Sequence, residues 1–139
     1  MLKQFEGLKK RQFCVEVKKI FYQNNDVTTC VLDVLIPLGI KNYEINTIVE
    51  KKFPEAHIIS NCARFVIKGI SKPRGGDKYD EKKGKTIAYS KAQWKAYSIT
   101  TRILDILTDY YSSKAIIYSR AAEFLDMATD REREFLDSL

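Results

Sequence analysis

Apolar residues alternate with polar residues along the first half of the chain and recur at helical spacing along the second half. Alternation over residues 12–22, with Phe13, Val15 and Val17 on one face and Glu16 and Lys18 on the other, is typical of a half-buried β-strand, because successive side chains of a strand point to opposite faces. Residues 27–37 are rich in β-branched and apolar residues, which favours a second strand. Beyond residue 81, apolar residues recur every three or four positions, as on one face of an α-helix. The change of period predicts an α+β fold. The strand residues that we expect to face the core are Cys30, Leu32, Val34 and Ile36.

Three strands are predicted in the first 70 residues. Residues 12–22 and 27–37 form an antiparallel hairpin, because the Asn and Asp residues between them favour a turn. Residues 57–70 form either one long strand or two short strands hinged at Ser60-Asn61. The core-facing residues predicted for the first strand are Phe13, Val15 and Val17.

The segment 43–52 has apolar residues on one face of a helix and Asn42 as a cap at its start. It is predicted to be a short helix, although its β-branched residues leave a further strand as an alternative. Asp80 is the predicted cap of a long helix, and Ser112-Ser113 is a predicted interruption before a shorter returning helix. The fold expected is therefore an antiparallel sheet, made of the hairpin and a long third strand, packed with these two C-terminal helices.

One domain is expected over residues 1–139. In it 1–70 is mainly β, 71–81 is a basic glycine-rich loop and 82–139 is helical. Lys and Arg number 24 against 18 Asp and Glu, and the formal charge of +6 favours a polyanionic partner. Three cysteines without paired spacing indicate free thiols in a reducing compartment. With no apolar signal-peptide core or membrane span in the sequence, we expect a cytoplasmic protein that does not enter a membrane.

Catalytic chemistry has little support in the sequence. The single histidine, His57, lies in an apolar strand, where a structural role is the more frequent one. The nucleophile, P-loop and zinc-ligand patterns are all absent. The acidic residues Asp77, Asp80 and Glu81 have neighbouring lysines that would repel a cation. We therefore expect no catalytic residue, no metal and no cofactor.

Anion binding has better support, in the loop between the third strand and the long helix. The Gly75-Gly76 backbone permits close approach of a phosphate, and the helix start beyond it offers unpaired N–H groups. The alternative is a solvated surface loop whose lysines have no ligand. The predicted phosphate-binding residues are Arg64, Lys68, Lys72, Arg74, Gly75, Gly76, Lys78, Tyr79, Lys82, Lys83, Lys85 and Tyr89, the two tyrosines as stacking partners for a base.

Aromatic residues of the long helix lie off its core-facing stripe. An apolar surface on a second side of a helix is often buried against a partner. We therefore expect a homo-oligomer that forms through the C-terminal helices. The predicted interface residues are Trp94, Tyr97, Tyr110 and Tyr111.

The segment Lys68-Gly-Ile-Ser-x-Pro-x-x-Gly-Asp-x-Tyr-Asp-x-x-x-Gly-Lys-x-Ile-Ala-x-x-Lys-Ala resembles a strand-loop-helix motif of small uncharacterised proteins from phages and integrated mobile elements. The expected order of elements is also similar in outline to phage anti-defence proteins that sequester cyclic ADP-ribose-type signals of Thoeris immunity. These resemblances imply a phage-type protein in a host cytoplasm. They transfer no ligand-binding residue to this chain.

The leading hypothesis is a non-enzymatic phage-type protein that binds a phosphate-bearing ligand, with a host immune nucleotide as a candidate and sequestration as the mechanism. A nucleic-acid-binding accessory protein that uses the same cations is the first alternative. A protein inhibitor that docks on a host defence protein through Trp94 and Tyr97 is the second.

Overall fold

The computed structural model describes residues 7–74, 78 and 80–139 of the chain. The fold is α+β, as predicted, with a four-stranded antiparallel sheet, a long C-terminal helix and a shorter helix. The strands lie in the order β1-β2-β4-β3 across the sheet. The elements are β1 (Val15–Asn24), β2 (Val27–Pro37), α1 (Tyr43–Lys52), β3 (His57–Ile59), β4 (Cys62–Ser71) and α2 (Glu81–Asp137), with a 3-10 turn at Lys10–Gln12 before them.

Strands β2 and β4 form the centre of the sheet, and their alternating residues form the centre of the core. The predicted inward residues of β2 are all buried, and β4 follows the same rule. The ring of Phe65 on β4 meets Phe53 after α1 edge to face, with 5.6 Å between ring centroids. The buried residues of the two strands are Cys30, Leu32, Val34, Ile36, Ala63, Phe65 and Ile67.

The short helix and the split third strand both follow from local chemistry. The Asn42 side chain accepts hydrogen bonds from the backbone of Glu44 (2.9 Å) and Ile45 (3.3 Å), so α1 is a helix with the predicted cap. Ser60 and Asn61 both have positive φ, which turns the chain back and separates β3 from β4. Of the two alternatives for 57–70, the structure has the two short strands, and they pair as a hairpin.

The predicted inward face of the first strand is wrong. A bulge between Glu16 and Lys18 places Val17 outside the regular pairing, and Val15 and Val17 are exposed. Because side chains directly opposite each other share a face, Glu16, paired with Val34, and Lys19, paired with Leu32, face the same side as the core residues of β2. Polar side chains therefore line the inner side of the first part of this edge strand, and Phe21, paired with Cys30, continues it.

Helix α2 packs against the inner face of the sheet through small residues, and it approaches β4 most closely at Gly69. A methyl group at Gly69 would overlap the carbonyl oxygen of Ala88 and lie 2.5 Å from the Ala92 nitrogen. The helix is therefore in backbone contact with the strand, and only glycine fits there. The buried helix residues of this stripe are Gly84, Ala88, Ala92, Ala96, Thr100 and Ile103.

The predicted interruption at Ser112-Ser113 is wrong, because α2 continues through both residues to Asp137. Serine lowers helix propensity only by about 0.5 kcal/mol relative to alanine, and no glycine or proline lies nearby to break the helix. The short helix of the fold is therefore α1 and not a returning C-terminal helix. The chain divides into two compact units, Met1–Leu104 and Asp105–Leu139, and the prediction of one domain over 1–139 stays a prediction.

Replacing Gly69 by alanine should lower the free energy of unfolding by about 3 kcal/mol or more, because helix and strand backbones must separate to admit the methyl group. Urea denaturation followed by circular dichroism measures this. Gly39→Ala is the matched control: Gly39 has φ +83° in open space, so its substitution should cost about 1 kcal/mol. Equal losses for the two variants would contradict the backbone contact.

Candidate anion-binding cavity

The segment between β4 and α2 is held at both of its ends by hydrogen bonds. Strand β4 pairs with β2 up to Ser71, which lies opposite Thr28. Asp80 caps α2, as predicted: its carboxylate accepts from the Lys83 backbone N–H at 3.2 Å, and its carbonyl accepts from Gly84 at 2.8 Å. Two rigid elements therefore hold both ends of the predicted anion-binding loop.

A cavity of about 400 Å³ lies between these two points. Its described lining holds five cations and two carboxylates, so its formal charge is positive. The buried Gly84 lines it without a side chain, and Ile87 is its main apolar side chain. The described lining residues are Asp26, Ser71, Lys72, Pro73, Arg74, Lys78, Asp80, Lys83, Gly84, Ile87 and Lys91.

Four of the predicted cations, Lys72, Arg74, Lys78 and Lys83, line this cavity. The first three come from the segment after β4, and Lys83 comes from the first turn of α2. Apart from Gly84, the lining residues of α2 are four positions apart over about two helical turns, so they lie on a single side of the helix. The structure thus brings the centre of the predicted site together.

Lys91 and Asp26 were not predicted to belong to the site. Lys91 lies four residues after Ile87 and eight after Lys83, so helical spacing was the signal that could have found it. Its ammonium donates to the Ile70 carbonyl at 3.0 Å, which holds the charge beside the end of β4. Asp26 comes from the β1–β2 turn, which the pairing of β2 with β4 brings next to Ser71.

Two predicted residues of β4, Arg64 and Lys68, lie on the face of the sheet opposite to α2. The Arg64 guanidinium donates to the Asp33 carboxylate, with a 2.9 Å bond from Nε. Arg64 is also seven residues from Ser71, about 23 Å along an extended strand. The structure therefore separates Arg64 from the cavity, and Lys68 points to the same outer side.

The remaining predicted residues fall into two groups. Lys82 and Lys85 are exposed at the start of α2 but do not line the cavity, and the Lys85 ammonium lies 3.2 Å from the Glu81 carboxylate. Gly75, Gly76 and Tyr79 lie outside the described residues.

Tyr89 faces β1 and not the cavity. Its hydroxyl donates to the Glu16 carboxylate at 2.7 Å, and the Lys19 ammonium lies 4.2 Å from its ring centroid. The bond to Glu16, with a smaller contribution from burial, raises the pKa of Tyr89 to about 12. Burial also raises the pKa values of the Tyr97 hydroxyl and the Cys14 thiol nearby. The ring of Tyr89 is therefore occupied by contacts within the fold.

The predicted interface residues belong to both units, Trp94 and Tyr97 to the first and Tyr110 and Tyr111 to the second. Trp94 is 70% exposed and lies beside β4, where it lines an open groove of about 350 Å³ with Val66 and Lys68. Tyr97 is half-buried, and the Lys10 ammonium lies 5.0 Å from its ring centroid. In the second unit, Tyr110 and Tyr111 meet edge to face at 5.4 Å.

Within the described part of the chain, no group of three or more His, Cys, Asp or Glu side chains is placed to hold a metal ion. Nor does any described helix combine the length and the apolar character needed to cross a membrane. A scan against protein-family models and searches of curated proteins and of solved structures found no match to this chain.

The raised pKa of Tyr89 predicts that one of the eight tyrosines titrates at about pH 12, measurable by ultraviolet absorbance of the phenolate. Tyr89→Phe should remove this step, and Glu16→Gln should move it to lower pH. Because the pKa is raised in the folded state, the stability from this bond is complete below the unfolded value of about 10 and is lost as pH rises from there to about 12. An unchanged titration curve in Glu16→Gln would contradict the assignment.

Proposed function

We propose that the chain is a non-enzymatic binding protein that holds a phosphate-bearing ligand in the cavity between β4 and α2. The observation that carries the proposal is the convergence of Lys72, Arg74, Lys78, Lys83 and Lys91 on one concave space. Cations gathered around a concavity raise the local concentration of an anion, and a guanidinium adds two-pronged binding of phosphate oxygens.

The size and lining of the cavity favour a small ligand. About 400 Å³ lies within the usual range of small-molecule sites, roughly 300–1,000 Å³. Ile87 offers an apolar contact for a base or a sugar, while the cations surround the phosphate. The carboxylates of Asp80 and Asp26 would repel a ligand whose negative charge is spread over the whole cavity. They therefore favour a ligand whose phosphate lies at one place among the cations. A nucleotide meets these requirements.

Sequestration is the mechanism that this lining supports. The described lining contains no histidine and no cysteine, and its two carboxylates stand beside five cations. A protein of this kind can remove a signalling nucleotide from solution without cleaving it. With the resemblance to phage proteins, this supports a phage-type anti-defence protein that captures a host immune nucleotide, in the host cytoplasm.

The test is a binding titration of purified protein with a panel of mononucleotides, dinucleotides and cyclic nucleotides, by calorimetry. Arg74→Ala with Lys83→Ala should weaken binding of any ligand found by about a hundredfold or more, because each charge-assisted hydrogen bond contributes about 1.5–3 kcal/mol. Native mass spectrometry of protein purified from cells identifies a ligand that is retained.

Lys85→Ala with Lys82→Ala is the matched control, because it removes two cations of the same helix start that do not line the cavity. This control should retain affinity within about threefold, as expected for the loss of screened surface charges. Equal loss in both double variants would mean that net charge, and not the cavity, binds the ligand. Absence of binding across the panel, with none retained, would contradict the proposal.

Nucleic-acid binding is the second candidate, and the charge of the first unit favours it. Residues 1–104 contain 20 Lys and Arg against 10 Asp and Glu, a formal charge of +10. A polyanion that bridges many of these cations would lose affinity steeply with salt, with a slope of about −0.9 per phosphate contact on a double-logarithmic plot. A nucleotide in the cavity has few phosphates, so its slope should be shallow. The salt dependence of affinity therefore separates the two functions.

A further inference from the structure

The second unit, Asp105–Leu139, consists of one helix in the described structure, with a turn at its end. An isolated helix is only marginally stable in water unless an apolar face is buried against a partner. Most of the large apolar residues of this unit are exposed, and Tyr118 and Phe124 are each 70% exposed. No second element of the unit covers them within its described residues.

Most of these residues form one stripe along the helix, and Ile116 and Met127 lie outside it. At 100° per residue, the stripe spans about 120° of the helix surface and runs from Leu107 to Leu139. Large side chains alternate along it with Ala121 and Ala128, and a shallow depression lies at Ala128 between Leu125 and Leu136. The stripe residues are Leu107, Tyr110, Lys114, Ile117, Tyr118, Ala121, Phe124, Leu125, Ala128, Glu132, Phe135, Leu136 and Leu139.

We propose that a second copy of this chain covers the stripe, with the two helices antiparallel and a two-fold axis through the stripe at the level of residue 123. In this register Ala121 lies opposite Leu125 of the other copy, and Ala128 lies opposite Tyr118. Large side chains then enter the spaces over alanine, as knobs enter holes. In a parallel pair, Ala121 and Ala128 would each meet their own copies and leave gaps.

Charge supports the same register. Lys114 and Glu132 are the two charged residues of the stripe, and they project at the same angle from the helix axis. A two-fold axis near residue 123 places Lys114 of each copy opposite Glu132 of the other. A parallel pair would instead place lysine on lysine and glutamate on glutamate. The Lys114 ammonium lies 5.7 Å from the Tyr110 ring centroid, a contact that the pairing leaves in place.

The stripe has enough area for a dimer. Ile117, Tyr118, Phe124, Leu125 and Phe135 are each between 56% and 70% exposed. With roughly 120 Å² exposed on each of these side chains, two copies would bury about 1,200 Å², the lower end of specific protein interfaces. The proposal is independent of a ligand, and its failure would leave the proposed cavity function untouched.

The first test compares two adjacent substitutions by sedimentation equilibrium of the full chain. The unmodified protein should be a dimer at micromolar concentration. Ala128→Glu should raise the dimer dissociation constant by roughly a hundredfold or more, because it buries an unpaired carboxylate in the interface. Met127→Glu introduces the same charge outside the stripe, about 100° around the helix from Ala128, and should leave the constant unchanged. Helical circular dichroism shows whether both variants fold.

The second test determines whether the two helices are antiparallel or parallel. Lys114→Glu and Glu132→Lys should each weaken the dimer by about fivefold or more, because each creates two like-charge contacts in the antiparallel register. The double variant should restore the original affinity. Glu123→Lys, on the far side of the helix, is the matched charge control.

Different results of the two tests would overturn the dimer, overturn the antiparallel register or establish both. A monomeric unmodified protein, or a dimer that Ala128→Glu leaves intact, would overturn the proposal. A dimer that Ala128→Glu dissociates but that responds to neither single charge reversal would overturn the antiparallel register. Weakening by both single reversals with restoration by the double variant would establish it.

Discussion

The backbone contact between β4 and α2 at Gly69 is the constraint on which the rest of the first unit depends. Small residues at every fourth position of the helix, from Gly84 to Ala96, remove the side chains that would otherwise hold the two backbones apart. The helix start is thereby fixed beside the end of β4. The cavity exists because both ends of the connecting segment are held there, one by the Asp80 cap and the other by the pairing of Ser71.

Local patterns were enough to predict the parts of the fold that local forces determine. The bounds of β2 follow from a run of β-branched and apolar residues after a turn, and α1 follows from its Asn42 cap. The inner face of β1 could not be predicted, because a bulge at Val17 shifts the alternation by one residue and an edge strand need not bury apolar residues. Helix α2 continues through Ser112-Ser113 because the weak preference of serine against helical structure does not terminate a helix.

The candidate site was predictable to the extent that its residues are neighbours in sequence. Lys72, Arg74 and Lys78 lie in one loop, and Lys83 lies in the first turn of the helix that follows it. Asp26 required the knowledge that β2 pairs with β4, so that the hairpin turn lies next to Ser71. Arg64 was assigned to the site because it precedes the loop on the same strand, but strand alternation and its bond to Asp33 place it on the other face.

The groups with raised pKa values lie away from the cavity, and their position bears on what the protein can do. Tyr89, Tyr97 and Cys14 lie between β1 and α2, where Glu16 and burial favour the protonated phenols and thiol. The hydrogen bond from Tyr89 to Glu16 ties the edge strand to the helix, and burial keeps the neighbouring thiol and phenol in their protonated forms. The cavity, in contrast, is lined by five cations, none of which contacts this cluster in the described structure. The cations of the cavity and the hydrogen bond of Tyr89 to β1 thus involve different residues of α2, so a substitution in one set can be made without removing the other.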